Sequence, residues 1–254
     1  MQCERSWRAA VALLMLVAGC AATQPEVGME APGRPAVTWH SESAGAPAAP
    51  EKGADSETER QLLTELSAAE QKGTNQLAIA STLYNLAILR RQQGSLAEAE
   101  RLYRRALAIR EQEQGPTHPD VAVILNNLAA LQVAEGHYED AQPLLERALS
   151  IRQGALGNGD VLTAESLNNL ALLFAAQGDA AAAEPLYKQA LATLESMAAA
   201  SGAAHGPPPD ETHRRELERV LDNYAALLHD TGRDREAEEI EARGRALRGA
   251  GSGQ

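Results

Sequence analysis

Cysteine is nearly missing from this 254-residue chain: Cys3 and Cys20 stand alone, both within the first twenty residues. The rest of the sequence therefore forms no internal disulfide and no thiolate zinc site. Aromatic side chains make up only 3% of the residues, which removes the usual core of Phe, Tyr and Trp. Alanine and leucine must fill the interior, and they suit closely packed helices. Basic residues are outnumbered, 23 Lys and Arg against 35 Asp and Glu, for a net charge of −12. So acidic a chain has little with which to neutralise phosphates, and nucleic acid is excluded as a partner. Catalytic signatures are missing too. The six histidines fall in no zinc-protease spacing, and neither a glycine-rich phosphate loop nor a serine nucleophile elbow occurs. His205, Asp210 and His213 flank a proline-rich stretch and read as turn residues rather than a metal site. The expectation is a protein without enzymatic activity, cofactor or metal.

The apolar run Ala9–Ala18 follows Arg5 and Arg8. It falls well short of the roughly 20 residues that span a bilayer, but it suits the hydrophobic region of a secretory signal. The run leads into Val17-Ala18-Gly19-Cys20. Small residues just before a cysteine resemble the cleavage box of bacterial lipoprotein signals, and the plainer alternative is an ordinary signal peptide cut nearby. The resemblance implies that residues 1–19 are removed and that Cys20 is lipidated with more than one acyl chain, as stable anchoring requires. Ala21, where an Asp would otherwise signal retention, implies the outer membrane of a bacterial envelope, facing the periplasm. Residues 20–55, rich in Ala, Pro, Gly, Ser and Glu, are expected to be a disordered tether. Its end-to-end distance would be about 30–35 Å. Trp39 is the one odd residue in it.

From residue 56 the chain repeats itself. Asn-Leu-Ala begins at Asn85, Asn127 and Asn169, at a constant period of 42 residues, and "LDNYAALLHDTG" places Asn223 in the same role. The last interval is longer because of a loop insertion, 198–210, containing three successive prolines. Each unit has helical periodicity. In the first helix Leu125, Leu128, Ala129 and Gln132 share a face, as do Leu167, Leu170, Ala171 and Phe174. Gly94, Gly136, Gly178 and Gly232 then end the helix. The second helix has Ala99, Tyr103 and Ala106 on its inner side, matched by Ala141, Leu145 and Ala148, then by Ala183, Tyr187 and Ala190.

The paired helices at this period, with "GPTHPDVAVILNNLA" at 115–129, resemble the tetratricopeptide repeat of the kinesin-light-chain type. The resemblance covers about residues 57–247. It implies an all-α fold: a right-handed superhelical solenoid of antiparallel helix pairs, about three and a half to four repeats, over residues 56–248. Residues 60–73 read as the second helix of a truncated first repeat. The charged helix 233–248 reads as a polar end cap, and 249–254 as a disordered tail.

Asparagine is a mediocre helix former, so its recurrence in mid-helix needs a reason. Asn85, Asn127, Asn169 and Asn223, joined by Asn126 and Asn168, would form a ladder of amides along the concave face. An amide both donates and accepts, so a ladder can pair with the backbone of an extended peptide. In the kinesin-light-chain family the corresponding asparagines hold peptide ligands, which implies that role here. The alternative is that they bond between repeats and serve only the stack. The stripe holds a single basic residue, Arg219, so the expected partner is a neutral or amphipathic peptide rather than a strongly acidic one. The function read from the sequence is a lipid-anchored interaction scaffold. The alternatives are a self-associating spacer in an envelope complex, or a lipoprotein that assists assembly of a secretion or pilus system.

Overall fold

The computed structural model describes residues 55–72, 75–202 and 211–251, and the regular structure among them is entirely α-helical. The helices are α1 (Asp55–Lys72), α2 (Gln76–Gln92), α3 (Leu96–Gln114), α4 (Pro119–Ala134) and α5 (Tyr138–Leu156), followed by α6 (Val161–Ala176), α7 (Ala180–Gly202), α8 (Glu211–Asp230) and α9 (Asp234–Gly251). The expected signal segment, Cys20, Trp39 and the tether up to residue 54 lie outside the described residues, as do 203–210 and 252–254.

Each copy is a helix, a tight turn and a second helix. Gly94 makes the turn possible at the end of α2 with φ of +79°, a conformation that costs other residues more. Its N–H donates to the Arg91 carbonyl at 3.0 Å, and the Ser95 N–H donates to that of Arg90 at 2.8 Å. This paired closure satisfies carbonyls that the helix end would leave open, and it recurs at Gly136, Gly178 and Gly232. Entry into the next copy is capped by side chains. Asp160 accepts from the Leu162 N–H at 2.8 Å. His118 Nδ1 accepts from the Asp120 N–H at 3.2 Å, so the cap of α4 is the histidine, with Pro119 at the first helical position.

The chain forms two compact units, one through Ala155 and one from Leu156 onward. In the N-terminal unit α1 packs on α2 as the expected half-repeat, with Leu66 and Ala69 against a cluster that includes Leu83, Leu86, Tyr103 and Ala106. Glu59 of α1 also accepts from Arg90 at 2.6 Å. A second cluster joins Val121, Ala122 and Leu125 of α4 to Ala148 and Ile151 of α5. In the C-terminal unit α6 pairs with α7 and α8 with α9. All nine inner-face residues named from the sequence, from Ala99 to Ala190, are fully buried. Most are alanines, so neighbouring helices can approach closely there.

Two boundaries differ from the sequence expectation. Helix α7 runs to Gly202, into the expected loop, because Ala198, Ala199 and Ala200 are strong helix formers and the break waits for the prolines. Helix α9 runs to Gly251, past the expected end at 248. It is the charged terminal helix foreseen, and its polar side chains are engaged. Arg248 pairs with Asp222 at 3.2 Å, Arg243 pairs with Glu195, and Arg233, in the turn just before the helix, donates to Glu184 at 2.7 Å. The Glu184 carboxylate also takes Lys188 at 2.8 Å and the Tyr224 hydroxyl at 3.0 Å. Chiefly Arg233, then Lys188 and Tyr224, hold it at a pKa of about 2.

Candidate interaction face

The repeating asparagines do not share one environment. Asn85, in α2, is half-buried. Asn127, its counterpart one period on, is fully buried, with a busy amide. Its Nδ2 donates to the Tyr84 hydroxyl at 3.1 Å and to the Val123 carbonyl at 3.0 Å, and its Oδ1 accepts from the Tyr103 hydroxyl at 3.3 Å. Both donors are used inside the protein. The two tyrosine rings meet with centroids 5.7 Å apart, tilted by 57°. Asn127 thus ties its own repeat to the one before it.

The C-terminal unit uses the same device with other residues. Asn223 Nδ2 donates to Asn168 Oδ1 at 3.0 Å. Asn168 stands two periods after Tyr84, so the asparagine again reaches the same place in the preceding copy. Tyr187, two periods after Tyr103, stacks on Tyr224 at 5.8 Å. Its hydroxyl is buried and finds no partner among the described residues.

The asparagines one place earlier are covered as well. Asn126 is 1% exposed, and neither of its amide atoms has a hydrogen-bond partner among the described residues. Asn168 leaves Nδ2 unpaired, and Asn169, 3% exposed, leaves Oδ1 unpaired. The sequence placed all six asparagines on an open concave stripe. The structure instead covers five of them and leaves Asn85 partly open. A mid-helix pattern says which residues lie on one line, but not which flank of that line the next helix covers. The sequence places Tyr103 and Tyr187 on the inner face of the second helices, but not the bond from Tyr103 to Asn127, and Tyr84, which accepts from the Asn127 amide, carries no repeat signal of its own.

On the stripe that carries the asparagines, the partly open residues of the N-terminal unit are Ser81, Asn85 and Ile88 on α2, with Val123 and Ala130 at the places matching Ser81 and Ile88 on α4. They make a small, weakly polar face in the N-terminal unit. Arg110 lies beside it but is occupied, donating to Ser81 Oγ at 2.8 Å and to Asp120 at 2.5 Å. Among the described residues no group of three or more His, Cys, Asp or Glu side chains is placed to hold a metal. No helix among them is long and apolar enough to cross a membrane.

Residues 78–154 and 133–196 match the tetratricopeptide repeat family. These are tetratricopeptide repeats. The crystal structure of BtubC (BKLC) from P. vanneervenii is similar, with a TM-score of 0.68 at 24% identity over 80% of this chain and 76% of that one. A kinesin light chain with nearly identical TPR-like repeats from Podosopora anserina, in a single-substitution form, gives 0.64 at 19% identity, covering 80% and 91%. These likenesses show the fold. No curated protein matches the chain in sequence. Tetratricopeptide repeats stack to bury faces that no single repeat can bury alone, and the stack presents an extended surface to protein partners.

The unequal environments of the tetratricopeptide-repeat tyrosines give a direct expectation. Tyr103→Phe removes a bonded hydroxyl and should destabilise by about 1 kcal/mol, whereas Tyr187→Phe removes a buried hydroxyl without a partner and should stabilise by about 1 kcal/mol or more. Urea unfolding of the two variants checks the opposite signs.

Proposed function

We propose that this protein is a non-enzymatic scaffold of the bacterial envelope, anchored through lipid on Cys20, which holds a partner peptide along the first helices of its repeats. The observation that carries the peptide assignment is the division of labour among the asparagines. Asn127 and Asn223 are bonded to neighbouring repeats. Asn85 is partly open, while Asn126, Asn168 and Asn169 retain amide atoms with no partner among the described residues. Buried amide groups without partners are costly and need a reason, and a ligand backbone that meets them supplies one. Within the N-terminal unit Asn85 is the partly open amide that makes the first contact. The face around Asn85 holds Ser81, Ile88, Val123 and Ala130, with its neighbouring arginine occupied, and so suits a neutral or amphipathic peptide.

A second reading has its own support. The Asn127–Tyr84 and Asn223–Asn168 bonds are what a spacer would need, with the asparagines serving the stack alone. Crosslinking in the native envelope separates the two. The intact protein and an Asn85→Ala, Asn169→Ala version of equal helicity are compared by mass spectrometry of captured partners. A partner held by the first and lost from the second supports peptide recognition by the amides. Equal capture by both sinks it and returns the asparagines to the stack.

A further inference from the structure

The end of the array carries a histidine whose two nitrogens both face carboxylates. His229 lies in the last turn of α8. Its Nδ1 is 2.8 Å from Asp234 Oδ1, in the first turn of α9, and its Nε2 is 3.2 Å from Glu241 Oε1, about two turns further on. Ionised carboxylates only accept hydrogen bonds, and a neutral imidazole has one N–H to give. Both contacts are therefore satisfied together only when the ring carries its second proton. We propose that protonated His229 is a clasp that fastens α9 to α8, and that its deprotonation with rising pH loosens the polar end of the array.

The surroundings favour the charged ring. The C-terminal end of α8 attracts a cation. From α9 the facing groups are Asp234 and Glu241, the latter shared with Arg245 at 3.3 Å. On α8 itself Asp230 adjoins the histidine. Arg233, in the turn, is drawn away by Glu236 at 2.6 Å and by Glu184 of α7 at 2.7 Å. Asp234 first, and then Glu241, raise the imidazole above its ordinary value. The sign follows from that direction. The contribution of the clasp is complete below the unfolded value, near 6.5, and disappears as pH rises through the folded one. The ring is 35% exposed, so protons exchange freely with solvent.

Hydrogen exchange in the full-length protein reads this directly. Amides of α9 around Ala237–Ala242, corrected for intrinsic exchange, should be about three- to tenfold better protected at about pH 5.5 than at about pH 8.5, while those of α4 should not change. In His229→Gln that difference should vanish, because the amide can donate but does not titrate. In parallel, NMR titration of the native chain should place the His229 ring above 6.5. Glu241→Gln should then lower that value, a test that does not depend on the glutamine variant at 229 folding. Equal α9 protection at both pH values overturns the clasp, as does a pH effect that survives in His229→Gln. A ring that titrates at or below its ordinary value overturns it too.

Discussion

Asn127→Ala is expected to destabilise the protein by about 2–3 kcal/mol, a large effect for a polar residue. The reasoning starts from what the alanine leaves behind. The Tyr103 hydroxyl, in a ring that is fully buried, loses its acceptor, and a buried donor without one costs about 1–3 kcal/mol. The Tyr84 hydroxyl also loses a donor, but Tyr84 is only partly buried and water can replace the bond. Alanine returns up to roughly 0.7 kcal/mol in helix preference. The control is Asn85→Ala, at the same place one period earlier and half-buried, which should stay within about 0.5 kcal/mol of the native chain. Chemical denaturation of both variants is the measurement. Equal stability would mean that the Asn127 bonds add nothing to the stack.

Asn126→Leu, one residue away, is expected to move stability the other way by about 2 kcal/mol. Leucine branches at the same carbon as asparagine, is bulkier, and carries no polar atoms, so the gain holds as far as the site takes the two methyl groups. It would replace an amide that is 1% exposed and has no partner for either end among the described residues. Leucine is also the better helix former by a few tenths of a kcal/mol. The two substitutions together test whether the pair in "LNNLA" is one motif or two. A stabilised Asn126→Leu that also loses the crosslinked partner would give the buried amide its function. A destabilised one would mean that the amide is already well served in the folded protein.

That pair also marks where the sequence stops speaking. The period of 42, the glycine turns and the buried alanines were legible because each is a local demand: a helix end, a left-handed turn, a close approach repeated at fixed places. The half-repeat at 60–73 was legible for the same reason, and α1 packs as it should. The fate of the asparagines was not, because consecutive helical residues point about 100° apart, and a modest rotation decides which of them meets the neighbouring repeat. Whether Asn126 or Asn127 finds a tyrosine depends on α2 and α3, not on the helix that carries them. His229 escaped for a related reason. The charged last helix reads as a polar end cap, yet Glu241 turns to the imidazole of α8, and nothing local to α9 announces it.

The Asn127–Tyr84 and Asn223–Asn168 bonds join residues 43 and 55 positions apart, each to the copy immediately before. Interactions of such short span set an order of events in time. Within each unit a copy emerging from the ribosome needs only its immediate neighbour to dock against, so folding can begin without waiting for the chain to finish. Disassembly runs by the same logic in reverse, and the terminal helices α1 and α9, each packed mainly against a single helix, are the first to let go.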